Sequence, residues 1–214
     1  MKNLRLIKFN LKFLKVNMFY HIYNTEAFVL GSRPSGEASK YVYLFTRELG
    51  LIGAHAQSSR EVKSKLRYAL DDLSYSKVSL VKGKNSWKLT NAVPEKNFFA
   101  NFSENYPKLL LCANALALIK KLVAGEEKNS KLFEILEQGF KFLEENNLSE
   151  EDIHNAEAIF MLRILNNLGY FGASKTLENF ALTDFWNQSL IQEMAGQRRN
   201  AVFVINKSLE ASHL

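Results

Sequence analysis

The sequence predicts an α+β, multidomain chain: an N-terminal five-stranded antiparallel β-barrel over residues 18–93, then an all-α helical domain over residues 94–214. Three observations predict it. Apolar residues recur with period 2 as far as Val93 and with period 3.6 beyond Pro107. Turn chemistry divides the first part into strand-length runs, at Ser32-Arg33-Pro34-Ser35-Gly36, Glu48-Leu49-Gly50 and Lys82-Gly83-Lys84-Asn85. Charge changes sign at the same boundary: residues 1–93 carry 16 Lys and Arg against 6 Asp and Glu, a net +10, whereas the other 121 carry 12 against 16, a net −4.

Taken in order, residues 1–17 contain no acid and space Arg5, Lys8, Lys12 and Lys15 along one helical face. A membrane-surface helix, a nucleic-acid-binding arm and a disordered basic extension ahead of the barrel are the competing readings, and the extension is the expectation. Charges run through the whole stretch, so it lacks the apolar core of a signal peptide. The first strand spans Tyr20 to Leu30, with Thr25, Ala27 and Val29 facing one way and Glu26 and Phe28 the other. Lys40–Thr46, rich in β-branched and aromatic residues, and the apolar run 51–57 form a hairpin. Leu73–Val81 and Ser86–Val93 form another around the Lys82–Asn85 turn. Five such strands suit an OB-fold or an SH3-like barrel equally.

Residues 91–107 are the transition. Leu109–Val123 is apolar nearly all round and reads as a buried central helix, too short and too charged at its end to cross a membrane. Leu132, Ile135, Leu136, Gly139, Phe140 and Leu143 share one stripe of the next helix. Ser149 caps a third, with acids in its first turn, that stops at Gly169. Thr183-Asp184 is expected to cap a helix through Met194, and residues 201–211 form the last.

Composition excludes several functions. With 47% hydrophobic residues and three prolines in 214, the chain is a packed globular protein rather than a disordered one. The single cysteine, Cys112, excludes an intramolecular disulfide and a cysteine-rich zinc site, and points to a reducing compartment. His21, His55, His154 and His213 are scattered, with no acid or cysteine at ligand spacing. The carboxylate runs at 126–127, 144–145 and 150–152 read as solvated helix ends. No GxxxxGK[ST] phosphate loop occurs. The expectation is a protein that is not an enzyme and uses no cofactor or metal.

The positive signal is electrostatic. Arg60, Lys63, Lys65 and Arg67 fall within eight residues against one acid, Glu61, among serines at 58, 59 and 64 that can donate to phosphate oxygens. Arg33, Lys40 and Arg47 lie nearby in sequence, and Tyr41, Tyr43 and Tyr68 offer stacking surfaces for bases. Strand alternation sends Tyr41, Tyr43 and Phe45 to one face and Val42 and Leu44 to the other, so one set enters the core.

The succession TEAFVLGSRPSGEASKYVYLFTRELGLIGAHAQ, then KSKLRYALDDLSYSKVSL, resembles the N-terminal domain of the RecO family of bacterial recombination mediators. The likeness continues through Trp87-Lys88-Leu89-Thr90 and Leu168-Gly169-Tyr170, covering residues 18–214. It decides for the OB-fold. It further implies binding of single- and double-stranded DNA, annealing of complementary strands, docking on the acidic tail of single-strand-binding protein, and assembly with RecR to load RecA in the bacterial cytoplasm, at the nucleoid. Lys120, Lys121 and Arg163, the cations nearest apolar helix faces, are the candidates for that tail. Many members carry four zinc-binding cysteines after the Leu-Gly-Tyr stretch, where residues 171–177 here have none. The basic stretch opens with Ala56-Gln57-Ser58-Ser59-Arg60 in place of the usual Ala-Lys-Gly. An RNA-binding OB-fold and a protein-interaction adaptor are the alternatives.

Overall fold

The computed structural model describes residues 21–172 and 174–211; the stretch 1–17, read above as an extension, lies outside them. Five strands come first: β1 (Ile22–Ser35), β2 (Ser39–Thr46), β3 (Gly50–Ala56), β4 (Ser74–Lys82) and β5 (Trp87–Asn97). The short helix α1 (Leu66–Ala69) sits between β3 and β4. Helices α2 (Phe98–Asn101), α3 (Tyr106–Leu122), α4 (Ser130–Glu145), α5 (Glu150–Asn167), α6 (Glu178–Leu182), α7 (Gln188–Ala195) and α8 (Arg198–Ala211) complete the chain.

The strands close into a barrel in the order β1-β2-β3-β5-β4, every contact antiparallel except β3 against β5. That order is the OB-fold's, not the SH3-like barrel's. Ala27, Val29, Val42, Leu44, Ile52, Ala54, Val78, Leu80, Trp87 and Leu89 fill the inside. They are the inward positions of alternating strands.

Several element boundaries differ from expectation: β5 runs on through Pro94 to Asn97 instead of ending at Val93, α3 begins at Tyr106 and not Leu109, and α8 begins at Arg198 and not residue 201. β1 does not end at Leu30; it runs through Arg33 and Pro34 to Ser35, so the turn is two residues tighter than Ser32–Gly36. A bulge between Val29 and Gly31 bends the strand, letting its first half pair with β4 and its second with β2. Pro34 is tolerated because it lies at the open end of the β1–β2 pair. Toward the C-terminus, the helix expected from Thr183-Asp184 begins at Gln188, because the Asn187 carboxamide oxygen accepts from the Leu190 N–H at 2.8 Å and Thr183 instead closes α6.

The barrel and the helices share a core. Phe28, Phe45 and Tyr75 point outward from β1, β2 and β4 into Phe98, Phe133 and Phe140, with ring centroids 4.9–5.8 Å apart for the Phe28 and Phe45 contacts to Phe133 and Phe140. Each buried aromatic is worth about 1.5–3 kcal/mol, so this seam holds the two units as one body. Polar contacts reinforce it: Arg47 to Glu137 at 2.9 Å, Lys128 to Glu48 at 2.6 Å, Lys82 to Glu126 at 2.6 Å, and Lys96 to Glu144. The carboxylates at 126 and 144 are therefore interdomain partners rather than solvated helix ends.

Inside the helical domain, Lys108 caps α4 by donating to the carbonyls of Leu143 and Asn146 at 2.6 and 2.7 Å, and burial lowers the pKa of its ammonium. Cys112 is buried, its thiol pKa raised first by burial and then by Glu144, which leaves it a packing residue. No described helix is long and apolar enough to cross a membrane.

Candidate nucleic-acid interface

Strand register assembles the site. On the outer surface of the barrel, Arg33 of β1 lies opposite Tyr41 of β2, and Tyr41 lies opposite His55 of β3. The next row along pairs Gly31, Tyr43 and Gly53. Inward alternation takes Val42 and Leu44 to zero exposure, so Tyr41 and Tyr43 are the outward set and remain half-buried on the surface. Phe45, the third member of that set, is covered by α4. The helical domain thus cuts the outward aromatic stripe in two, burying one end and presenting the other.

The exposed end is ordered by ring contacts. Tyr41 meets Tyr43 edge to face at 5.4 Å and His55 at 4.9 Å, and the Arg33 guanidinium lies 5.0 Å from its centroid. Gly53 makes room: a Cβ there would come 2.1 Å from the Tyr41 hydroxyl oxygen. Gly31, at φ +134°, makes room on the other side, where a Cβ would come 3.1 Å from the Lys120 ammonium. Lys120 reaches over from α3 to sit 4.5 Å from the Tyr43 centroid.

The basic loop joins this face at its rim. The backbone N–H of Arg60 donates to Ala38, and its guanidinium to the carbonyl of Glu37 at 3.2 Å, which pins the loop to the β1–β2 turn beside Arg33. Ser59 is buried and bonded to the Ala56 carbonyl, so it anchors the loop instead of facing a ligand. Lys63, Lys65 and Arg67 are exposed, and Arg67 stacks 5.9 Å from the ring of Tyr68, itself 67% exposed.

Not every nominated cation belongs here. Arg47 is held by Glu26 at 2.6 Å and Glu137 at 2.9 Å over the Phe133 ring, with its pKa raised against the cost of burial by those two carboxylates, so it serves the domain seam. Lys40 is half-buried and pairs with Asp71 at 3.7 Å. Of the cations nominated for an acidic tail, Arg163 is 2% exposed and therefore cannot rim a surface pocket. Its guanidinium donates to the carbonyls of Phe180 and Phe185 at 3.2 and 2.8 Å and lies 4.3 Å from the Trp186 centroid. Burial brings its pKa down to about 10, so it stays charged at neutral pH. Lys120 belongs to the barrel face, and Lys121 alone remains exposed on the helical surface.

His55 and Gly53 also belong to this face, which reading the sequence missed. Alternation along β3 puts both outward, but their neighbours on β1 and β2 come from register. Among the described residues, no group of three or more His, Cys, Asp or Glu side chains is placed to hold a metal. The arrangement is one of planar rings and unpaired cations, suited to gripping a flexible polyanion with exposed bases.

The chain matches known proteins along both of its units. Residues 18–98 match the family model described as recombination protein O N terminal, and residues 103–171 match recombination protein O C terminal. The chain is 30% identical over 145 residues to the DNA repair protein RecO of Alkaliphilus metalliredigens, covering 68% of this chain and 57% of that protein. It is 34% identical over 122 residues to that of Thermodesulfovibrio yellowstonii, covering 57% and 49%, and 31% identical over 155 residues to that of Heliobacterium modesticaldum, covering 70% and 52%. The chain spans about half the length of the curated relatives it matches.

Proposed function

This chain belongs to the RecO family of DNA repair proteins, and on that premise we propose that it is a recombination mediator that works by binding and not by catalysis. It binds single- and double-stranded DNA on the outer face of β1, β2 and β3, anneals complementary strands coated by single-strand-binding protein, and with RecR helps load RecA. Its place of action is the bacterial cytoplasm, at the nucleoid.

One observation carries the reading. Among the described barrel residues, Arg33 lies over the Tyr41 ring, Arg60 ties the basic loop to the β1–β2 turn beside it, and neither these two nor Lys63, Lys65 and Arg67 of that loop make an ion pair. Stacking on Tyr41 and Tyr43 is tolerant of base identity, and the cations follow the backbone, which suits a protein that must bind any strand. Contact with about four phosphates of a single strand gives a slope of log K against log[salt] near −3. A helical domain rigidly seated on the barrel leaves this face open while docking on the acidic tail of single-strand-binding protein, to which Lys121 contributes.

The test is annealing of two complementary DNA strands coated with the cognate single-strand-binding protein. The chain is compared with a folded variant carrying Arg60→Glu, Lys63→Glu, Lys65→Glu and Arg67→Glu. Acceleration by the chain and its loss in the variant support the reading. Acceleration that survives in the variant moves the site off the loop. No acceleration by either, with tighter binding to RNA than to DNA at equal salt, replaces the reading with an RNA-binding one; negligible binding to both near 0.15 M salt replaces it with an adaptor.

A further inference from the structure

α8 buries one side and leaves the other bare. Ala201, Ile205 and Ser208 pack inward, while Arg199, Val202, Phe203, Asn206 and Glu210 are exposed, Val202 by 46% and Phe203 by 66%. At about 3.6 residues per turn, those five positions share an arc of about 100°, one continuous stripe three turns long.

The stripe is ordered from end to end. Arg199 stands at its start, Val202, Phe203 and Asn206 in its middle, and Glu210 at its finish, and neither charged residue has an ion-pair partner among the described residues. The charges also run against their own helix. A helix favours acids near its N-terminus and bases near its C-terminus, yet α8 has no acid in its first turn and no base in its last. The dipole of α8 therefore does not account for their order.

A second α8 laid antiparallel across the first does. About a two-fold axis midway between Val204 and Ile205, Arg199 of each copy meets Glu210 of the other, and Phe203 of each copy lies beside Asn206 of the other. A parallel arrangement would instead set Arg199 against Arg199 and Glu210 against Glu210. The ground on either side of the stripe suits a neighbouring helix, because helices pack with ridges in grooves. Between α8 and α5 runs a groove of about 430 Å³, lined by Ala158, Met161 and Val202. On the other flank a cleft of about 260 Å³ is lined by Phe203 and Tyr170, the latter 38% exposed.

We infer that α8 is a self-association surface, through which two copies of this chain pair by antiparallel α8 helices, with Val202 and Phe203 at the centre and an Arg199–Glu210 contact at each end. A three-turn stripe is small beside the roughly 1,600 Å² of a stable interface, so the pairing is weak and reverses on dilution. Each copy brings its own barrel, and a pair therefore holds two strands at once. That consequence rests on the reading of the barrel as a DNA site; the pairing does not.

The experiment is sedimentation equilibrium of the full chain over about 1 to 100 μM, the range in which a weak dimer forms and dissociates. The unaltered chain moves from monomer to dimer. Arg199→Glu and Glu210→Arg each set like charges together at both ends and raise the dimer Kd by about tenfold; Phe203→Ser raises it as well. An equal mixture of the two charge variants forms a mixed dimer, and the double variant on one chain dimerises again, because in both cases every end regains opposite charges. In dilute protein the charge variants keep the urea midpoint of the unaltered chain, since the side chains are exposed and the reversed charges agree with the helix dipole. A chain that stays monomeric throughout overturns the inference and leaves the stripe to a different protein. A dimer that neither charge variant weakens, or that the mixture does not restore, overturns it by placing the contact elsewhere. None of these outcomes depends on DNA, so failure of the barrel face to bind a strand leaves them standing.

Discussion

The Arg47 guanidinium lies 4.4 Å from the centre of the Phe133 ring while bridging Glu26 on its own barrel and Glu137 on α4. Tyr75 completes the group by donating to the same Glu137 carboxylate at 3.1 Å. A residue placed in the basic half of the chain thus works as a clamp between the halves. Arg47→Ala removes the bridge and leaves two partly hydrated carboxylates unpaired, which costs about 1–3 kcal/mol. Urea unfolding reads that loss. The salt slope of the proposed DNA binding stays unchanged, and a shallower slope would return Arg47 to the proposed DNA site.

Gly53→Ala places a methyl group where the Tyr41 hydroxyl now lies. Tyr41 is at the end of a side chain that can swing, so the barrel folds and the ring moves. Stacking of a base is worth about 1–3 kcal/mol, so affinity for single-stranded DNA falls by about fivefold or more while the salt slope holds. Adding Tyr41→Ala to Gly53→Ala produces no further loss. Independent, additive losses from the two changes would break the link between them.

Gly139→Ala tests the helical core. Alanine favours a helix over glycine by about 1 kcal/mol, but the new Cβ would come 1.9 Å from the ring of Phe160, which is fully buried and has nowhere to go. Overpacking of this kind costs about 1–3 kcal/mol, and the tightness of the contact puts the outcome on the destabilising side. A lowered urea midpoint is expected; a raised one would mean that α4 and α5 do not meet at this point.

Arg163→Leu strips the carbonyls of Phe180 and Phe185 of their donor and leaves Trp186 without the cation above it. Unpaired buried acceptors cost about 1–3 kcal/mol. In a Trp87→Phe background, Trp186 is the remaining tryptophan, and its emission shifts to the red as the segment around residues 180–187 loosens. Unchanged emission and unchanged stability would remove Arg163 as the organiser of that segment.

The Glu126 carboxyl has its pKa lowered chiefly by the Lys82 hydrogen bond, with burial opposing it and the Trp87 indole adding a lesser lowering. Because the folded value lies below the unfolded one, near 4.3, the contact's stabilisation is complete above about pH 4.3 and is lost as pH falls through the folded value. In a Trp186→Phe background, Trp87 emission holds steady down to that point and changes below it. Glu126→Gln abolishes the change. A transition that persists in the variant belongs to another carboxylate.

Much of the site was legible as chemistry and little of it as place. The run from Arg60 to Arg67 marked a basic loop, and the alternation of β2 showed that Tyr41 and Tyr43 share a face, but not which face enters the core. Packing settled it: the barrel interior accepts Val42 and Leu44, while the aromatic set is divided between α4 at Phe45 and the surface at Tyr41 and Tyr43. Arg47 and Arg163 show the limit most plainly. Each is a cation in the sequence, yet what it does depends on carboxylates, carbonyls and rings 17 to 90 residues away.

The sequence by itself determined the strand count, a change from strand to helix within residues 91–107, the cap at Ser149 and the stop at Gly169, because each depends on neighbours within a turn or a strand pair. It also determined the family, through the order of its elements. Tertiary structure decided which cations are free. Charge is a property of a residue, but an ion pair belongs to two that fold together, and only closure of the barrel by β3 against β5 could place Lys88 beside His55.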